Sequence, residues 1–501
     1  MSSKIKKILV ANRSEIAVRV INACQAMGIK SVAVYSDADK NSKHKLIADE
    51  SVYIGEATPQ KSYLDIEKII SAAKDTSADA IHPGYGFLAE NPQLAIRCAE
   101  ENIIFIGPSA DAINLLGNKV ESRIKMADAG IPLIPGMKNS ESDLSVYEKS
   151  ADECGYPVMV KAAAGGGGKG MRVVHKKEEL KEAVSAAKRE AKNAFNDDRV
   201  YLEKFIVNPR HIEFQILADR HGNIIHLFER ECSIQRRHQK IIEETPSVAM
   251  TDELRTRMGA DAVRVAQASG YVNAGTVEFL LDESGGYYFL EMNTRIQVEH
   301  PITEMVTSVD LVVEQIRVAQ GESIEHLKNV KQSGHAIECR IYAEDGENNF
   351  MPSTGKVLHY SEPSGPGVRV DSGIQKGAEV TIDYDPIMAK LIVHAPSRVI
   401  AISKMIQALH QYKILGVKSS KKYMVDILEH EEFIKGNTFT DFIEKHMSNR
   451  SQFSEKFKEL AVATAMVSSL TTIQTKTGTK EEISTPWHTL GAIQIGDSIH
   501  E

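Results

Sequence analysis

The 501-residue sequence predicts a mixed α/β protein of several domains, and three observations carry that reading. The first part of the chain alternates strand and helix patterns, as a parallel sheet covered on both faces requires. The middle carries paired β-prone runs separated by turn residues, which read as antiparallel hairpins. The last part mixes strand patterns with one long helical pattern. A chain of this length can bury the cores of two to four domains.

Composition narrows the function. Hydrophobic content of 42% and charged content of 26% are those of an ordinary globular protein. The net charge of −8, with no long basic block, argues against nucleic acid or an anionic membrane as the main partner. Cys24, Cys98, Cys154, Cys232 and Cys339 are scattered and never form CxxC, which points to a reducing compartment without structural zinc. MSSKIKKILVANR enters a strand directly, and no apolar run approaches the roughly 20 residues that span a bilayer. The expectation is a cytoplasmic protein.

Taken in order, KIKKILVA reads as a strand, EIAVRVINACQAMG as an amphipathic helix and KSVAVYS as the next strand. ADAIHPG and NIIFIGP supply two more, which gives a doubly wound, Rossmann-like pattern to about residue 115. The first strand-to-helix turn, ANRSE, has no G-x-G-x-x-G, so Asp37 lacks the setting of a ribose-binding acid.

Glycines return in GYPVMVKAAAGGGGKGMRVVH. Gly165, Gly167 and Gly170 satisfy G-x-G-x-x-G formally, but strands flank them on both sides. Lys169 is followed by Gly170 rather than Ser or Thr, which excludes a Walker A loop. A glycine run between two strands can close its amides over phosphates, although a merely flexible loop has the same composition. Lys161, four residues before the run, favours phosphate.

YLEKFI then ends a strand and HIEFQILAD forms another. LFERECSIQRRHQKIIEE concentrates Arg230, Arg236, Arg237, His238 and Lys240, offset by Glu229, Glu231, Glu243 and Glu244. These mixed charges suit a small anion or polyphosphate better than nucleic acid.

TVEFLLD and YYFLEM flank a turn at ESGG. Closing this hairpin with Asp282 opposite Tyr287 pairs Glu278 with Glu291. Directly opposed like charges destabilise a sheet, so a cation is expected between them. Carboxylates beside an asparagine carbonyl suit Mg²⁺ and substrate phosphates; alternatively one carboxylate is protonated or turned to water. If LEMNTRIQVEHPITE stays extended, Glu291, Asn293, Arg295, Gln297 and Glu299 share one face. A solvated edge strand alternates in the same way, and the hairpin before it argues for a metal–phosphate site.

The quoted blocks together resemble one family. ANRSEIAVRV, HPGYGFLAEN, FIGPS, GNKVESR, GYPVMVKAAAGGGGKGMRVV, EKFIVNPRHIEFQ, ECSIQRRHQKIIEE and EMNTRIQVEHPITE resemble the signatures of biotin carboxylase, in the ATP-grasp superfamily. GHAIECRIYAED, MPSTGKV and YDPIMAKL continue the match, which runs from residue 4 to about 446. The resemblance implies an N-terminal Rossmann-like domain over 1–115 and a central ATP-grasp domain over 116–330, with a mobile glycine-rich lid at about 133–204. A mixed β/α C-terminal domain over 331–446 and an extension over 447–501 complete the expected layout.

It also implies a reaction. ATP and bicarbonate give carboxyphosphate, which carboxylates the ureido nitrogen of biotin for an acetyl-CoA, propionyl-CoA or pyruvate carboxylase. Another bicarbonate-using ATP-grasp ligase is the alternative. By resemblance, Glu278, Glu291 and Asn293 hold Mg²⁺ or Mn²⁺. ATP would meet Lys119, Lys161, Gly167, Gly168, Glu203, Lys204, Ile206, His211, Gln235 and His238, together with Glu278 and Glu291. Lys240, Arg295, Gln297 and the Val298 backbone match the bicarbonate pocket, Glu299 the general base, and Arg340 the residue that steadies the enolate-like oxygen of biotin. Lys240, Arg295, Glu299 and Arg340 are thus the expected catalytic groups.

The chain departs from the family in the flap, where Lys169 keeps an arginine's charge without its planar fork. The loop of the metal hairpin is one residue longer than in many relatives. No AMKM-like biotinylation sequence occurs, so the resemblance implies a separate carrier protein and carboxyltransferase, and a homodimer. In the extension, KELAVATAMVSSLTTI reads as an amphipathic helix, TKTGTKEEISTP as a polar linker, and WHTLGAIQIG as a short docking strand carrying the only tryptophan. A partner-docking role is expected there.

Overall fold

The computed structural model describes residues 4–137, 143–162, 171–195, 197–346 and 348–447. The flap glycines Gly167 and Gly168, with Lys169, lie outside the described residues, and so does the expected extension from residue 448 onward.

Strand β1 (Lys7–Val10) leads into helix α1 (Ser14–Ala26), whose buried face carries Ile16, Val20 and Ile21. Strands β2 (Lys30–Ser36), β3 (Glu50–Gly55), β4 (Ala80–His82) and β5 (Ile104–Phe105) follow. They form a parallel sheet in the order β3-β2-β1-β4-β5, the expected doubly wound arrangement. ESVYIG becomes an edge strand that the sequence pattern did not announce, with Ser51 and Tyr53 exposed to solvent. Strand order reverses between β1 and β4, which opens a crevice at the carboxyl ends of the strands. Asn12 spans it, its Nδ2 donating to the carbonyls of Pro83 and Tyr85 at 2.7 Å each.

A small antiparallel sheet follows, built from β6 (Val158–Ala162), β7 (Arg172–Val174) and β8 (Val200–Lys204) in the order β7-β6-β8. It has its own core, in which Tyr147, Val158, Val160, Val184 and Leu202 pack together. Gly136 lies against β8, where any Cβ would strike the backbone of Leu202 and Glu203. That close approach fixes the strand bearing Glu203.

The largest sheet is antiparallel throughout. It uses β9 (Arg210–Ala218), β10 (Ile224–Arg236), β11 (Gln239–Thr245), β12 (Asn273–Leu281), β13 (Tyr287–Asn293) and β14 (His335–Tyr342). The order is β13-β12-β9-β10-β11-β14, extended by the strands Ile387–Ala395 and Val368–Ser372. The β11–β14 seam, with Ile242 opposite Cys339, joins the middle of the chain to its last part. Within residues 378–385 the only strand is the two-residue Glu379–Val380. No described helix is long and apolar enough to cross a membrane.

Two expectations need correction. The β12–β13 hairpin pairs Glu278 with Glu291, but Tyr287 lies opposite Leu281 rather than Asp282. A bulge between Glu278 and Phe279 restores the glutamate pair. Asp282 instead closes the loop, its Oδ1 accepting from the backbone N–H groups of Ser284 (2.9 Å) and Gly286 (2.8 Å).

LEMNTRIQVEHPITE does not stay extended. Strand β13 ends at Asn293, the chain turns, and a helix spans His300–Thr307. The Thr294 N–H donates to the Glu90 carboxylate at 3.0 Å rather than to a strand, and Pro301 in the first helical turn favours the helix start.

Candidate active site

Four strands bring charged side chains to one level of the large sheet. Arg230 on β10 pairs with Glu213 on β9, Glu213 with Glu278 on β12, and Glu278 with Glu291 on β13. A row of three carboxylates is unfavourable alone. Arg230, fully buried, answers it by donating to Glu213 (2.6 Å), Gln215 (2.7 Å), Thr303 (3.0 Å), Thr276 (3.2 Å) and Gln297 (2.8 Å).

Lys240, on β11, reaches across the row. Its Nζ donates to Glu213 (2.5 Å), Glu278 (2.8 Å) and Glu299 (2.8 Å). His211 Nε2 lies 3.0 Å from the other Glu278 oxygen. Asn293 Nδ2 and Gln297 Nε2 donate to Glu278 at 2.8 and 2.7 Å. Glu278 therefore accepts from three donors, with the His211 imidazole beside it.

Arg340 stands on β14, beside β11. Its Nε donates to Glu243 at 2.6 Å and its Nη2 to Glu299 at 3.1 Å. Glu299 thus has Lys240 on one oxygen and Arg340 on the other. Arg295 donates through Nε to Glu90 (3.0 Å) and through Nη2 to Asn293 Oδ1 (2.9 Å). So the three polar residues that follow β13 reach the same place as the extended reading required, by way of a turn.

Burial acts first on these charges and is then overruled. It would raise the Glu278 carboxyl, but Lys240 and His211 hold it well below the usual range. It would raise Glu299 too, and Lys240, Arg340 and Arg230 depress that group. Burial would lower the Lys240 ammonium, yet Glu213, Glu278 and Glu299 lift it well above its ordinary value. Glu243 goes the other way: burial prevails over Arg340 and pushes it up to about 7.

The outer part of the site is more open. Lys119 lies 3.4 Å from Glu291, whose side chain is 38% exposed, while Lys161 and Arg123 both meet Glu203. Strands β10 and β11 are joined by Arg237 and His238 in left-handed conformations, φ 50° and 64°. A non-glycine residue there costs about 1–2 kcal/mol, a strain set against the place His238 takes in the cavity wall.

These groups line one cavity of about 490 Å³. Its wall holds Lys119, Lys161, Glu203, His211, Gln235, His238, Lys240, Glu278, Glu291, Asn293, Arg295, Gln297, Val298, Glu299 and Arg340. Lys204 and Ile206 are not part of that wall; the Lys204 ammonium donates to the carbonyls of Gly155 (2.7 Å) and Tyr156 (3.3 Å). A second cavity of about 600 Å³ opens at the crevice beside Asn12 and Tyr85 and shares Arg295, Val298, Arg340, Tyr342 and Asp385 with the first.

Sequence reasoning passed over Glu90, Arg123 and Glu213, and placed Arg230 in a basic cluster rather than in the core. Glu213 alternates with His211 in HIEFQ, which was a readable signal. Glu90 comes from a distant loop and gave none. For a divalent cation, Glu278, Glu291 and Asn293 offer hard oxygen donors at the cavity wall, a set that fits Mg²⁺ or Mn²⁺.

A small sheet beside a large antiparallel sheet, with a polar cavity walled by residues of both, defines the class: an ATP-grasp ligase fold. The chain belongs, within that class, to the biotin carboxylase family. Residues 4–113 match the biotin carboxylase N-terminal domain, 118–327 the ATP-binding domain of the carbamoyl-phosphate synthase L chain, and 338–445 the biotin carboxylase C-terminal domain. The chain is 49% identical over 442 residues to biotin carboxylase 2 of Bacillus subtilis, covering 88% of this chain and 99% of that protein. It is 51% identical over 444 residues, 88% of its length, to the mitochondrial methylcrotonoyl-CoA carboxylase subunit alpha of Mus musculus, of which the match spans only 62%. Among solved structures, the biotin carboxylase domain dimer of Hydrogenobacter thermophilus 2-oxoglutarate carboxylase, in complex with MgADP, ADP and bicarbonate, is similar at TM-score 0.85 and 46% identity, over 90% of this chain and all of that one.

Proposed function

We propose that this chain carboxylates biotin on a separate carrier protein, using ATP and bicarbonate, as the biotin carboxylase subunit of a multi-subunit carboxylase. The observation that carries the reading is the Glu299 carboxylate held between Lys240 and Arg340, at 2.8 and 3.1 Å. Lys240 and Arg295 offer positive charge to bicarbonate, and Gln297 and the Val298 backbone close its pocket. Glu299 takes the bicarbonate proton. Its basicity is depressed by the same cations, so its contribution comes from position.

Bicarbonate is a poor electrophile until its hydroxyl is phosphorylated and becomes a leaving group, which is why the reaction consumes ATP. Lys119, Lys161, His211, Gln235 and His238 surround the nucleotide, and positioning with charge stabilisation does most of the work. Glu278, Glu291 and Asn293 would hold Mg²⁺, which would supply positive charge to the phosphates of the nucleotide. Biotin approaches through the second cavity. There the Arg340 fork steadies the oxygen that gains charge as the ureido nitrogen loses its proton.

Another ATP-grasp ligase would share the metal carboxylates but would have no need of Arg340 beside Glu299. The domain limits 1–115, 116–330 and 331–446 belong to the same reading. So do a carboxyltransferase partner, a homodimer, a cytoplasmic setting and a docking role for 447–501. Incubation with labelled bicarbonate, Mg-ATP and biotin tests the reaction. Label should appear in acid-labile form on biotin, and no transfer to biotin or to a biotinylated carrier would refute it.

A further inference from the structure

Lys390, on the strand Ile387–Ala395, is a fully buried ammonium that the chemistry above does not use. Its Nζ donates to the Val298 carbonyl at 2.9 Å and lies 3.2 Å from a Glu15 carboxylate oxygen, with Asp371 at 3.7 Å. Directly opposite it across the ladder stands Arg340. Like charges so opposed are unfavourable, and a methionine or leucine would fill this buried position without that cost. The ammonium is therefore held there by what its head group reaches.

It reaches three separate parts of the chain: the first turn of α1 through Glu15, the neighbouring strand Val368–Ser372 through Asp371, and the turn that precedes the helix His300–Thr307. The Val298 carbonyl and the Glu299 N–H belong to one planar peptide. Fixing that carbonyl fixes the plane from which the Glu299 side chain departs.

We propose that Lys390 is a positioning residue for the base: by holding the Val298–Glu299 peptide, it keeps the Glu299 carboxylate between Lys240 and Arg340. This rests on the function proposed above. It places a determinant of the bicarbonate step on the C-terminal strand, outside the cavity wall.

Two variants test it, Lys390→Met and the double variant Lys390→Met with Glu15→Gln. The double variant removes the carboxylate that the single one leaves without its ammonium. Both should raise the KM for bicarbonate or lower kcat by about 10- to 100-fold in bicarbonate-dependent ADP release, while the KM for ATP stays within about twofold. A merely structural lysine predicts wild-type kinetics in the double variant, and that result would overturn the proposal. An equal rise in the KM for ATP would overturn it as well. If the single variant does not fold, the double variant decides; if neither folds, Lys390→Arg, which keeps the charge and moves the donor, decides by the same two constants. Wild-type protein without bicarbonate-dependent, biotin-stimulated turnover would refute the proposed function instead, before any variant is compared.

Discussion

Replacing Lys240 with methionine leaves Glu213, Glu278 and Glu299 without the ammonium that touches all three. At 2.8 Å and an effective dielectric of about 20, each contact is worth roughly 6 kcal/mol before desolvation is counted. Burying the charges offsets most of this, and breaking one partner from such a cluster costs about 3–5 kcal/mol net. The loss should depend on pH. Glu278 and Glu299 have folded values below the 4.5 of an ordinary glutamate, so in the wild type their stabilisation is full above that pH and is lost only as pH falls through the depressed values. In Lys240→Met burial raises both carboxyls, and they can neutralise by taking up protons in mild acid. Urea unfolding followed by far-ultraviolet circular dichroism should therefore show a deficit of about 3–5 kcal/mol near pH 8 that shrinks by about pH 5.5. A deficit below about 1 kcal/mol near pH 8, or one of equal size at both pH values, would refute the reasoning.

Other consequences follow from the same geometry. Arg340→Lys keeps the charge but loses the planar fork that aims Nε at Glu243 and Nη2 at Glu299; biotin-dependent turnover should fall about 100-fold, read as kcat, while biotin-independent ADP release changes far less. Glu291→Gln should raise the Mg²⁺ concentration needed for half-maximal activity by about tenfold or more, measured by titration with the free ion. Burial pushes Glu15 up to about 7 against the opposing pull of Lys390. Its folded value exceeds the unfolded one, so its contribution is full below pH 4.5 and is lost as pH rises through about 7. Glu15→Gln should flatten that part of the stability profile. Arg230→Gln, which breaks a five-partner buried network, should cost about 3–5 kcal/mol in urea unfolding.

Much of this site was legible before the structure, and each gap has a physical reason. Period-two alternation put Glu291 and Asn293 on one face, because strands enforce it, and hairpin pairing added Glu278, whereas His211 came only from the family resemblance. The glutamate pair was reached through the wrong loop register, and a bulge that no residue pattern announces cancelled the error. Arg295, Gln297 and Glu299 were assigned to a strand because their spacing fits one. A carboxylate from the distant Glu90 and the proline at 301 bend the chain away instead. Lys240 and Arg340 meet through a seam between remote strands, and nothing local in the sequence specifies it. Arg230 read as part of an anion-binding cluster because type alone does not reveal that Glu213, Gln215 and Gln297 wait in the core.

The most direct measurement is ADP release by the purified protein with Mg-ATP and bicarbonate, with and without free biotin, in wild type and in Glu299→Gln. The account predicts bicarbonate-dependent release that biotin stimulates strongly and that the substitution abolishes. Bicarbonate-dependent turnover indifferent to biotin and to a biotinylated carrier, or unaffected by the loss of the Glu299 carboxylate, would contradict it.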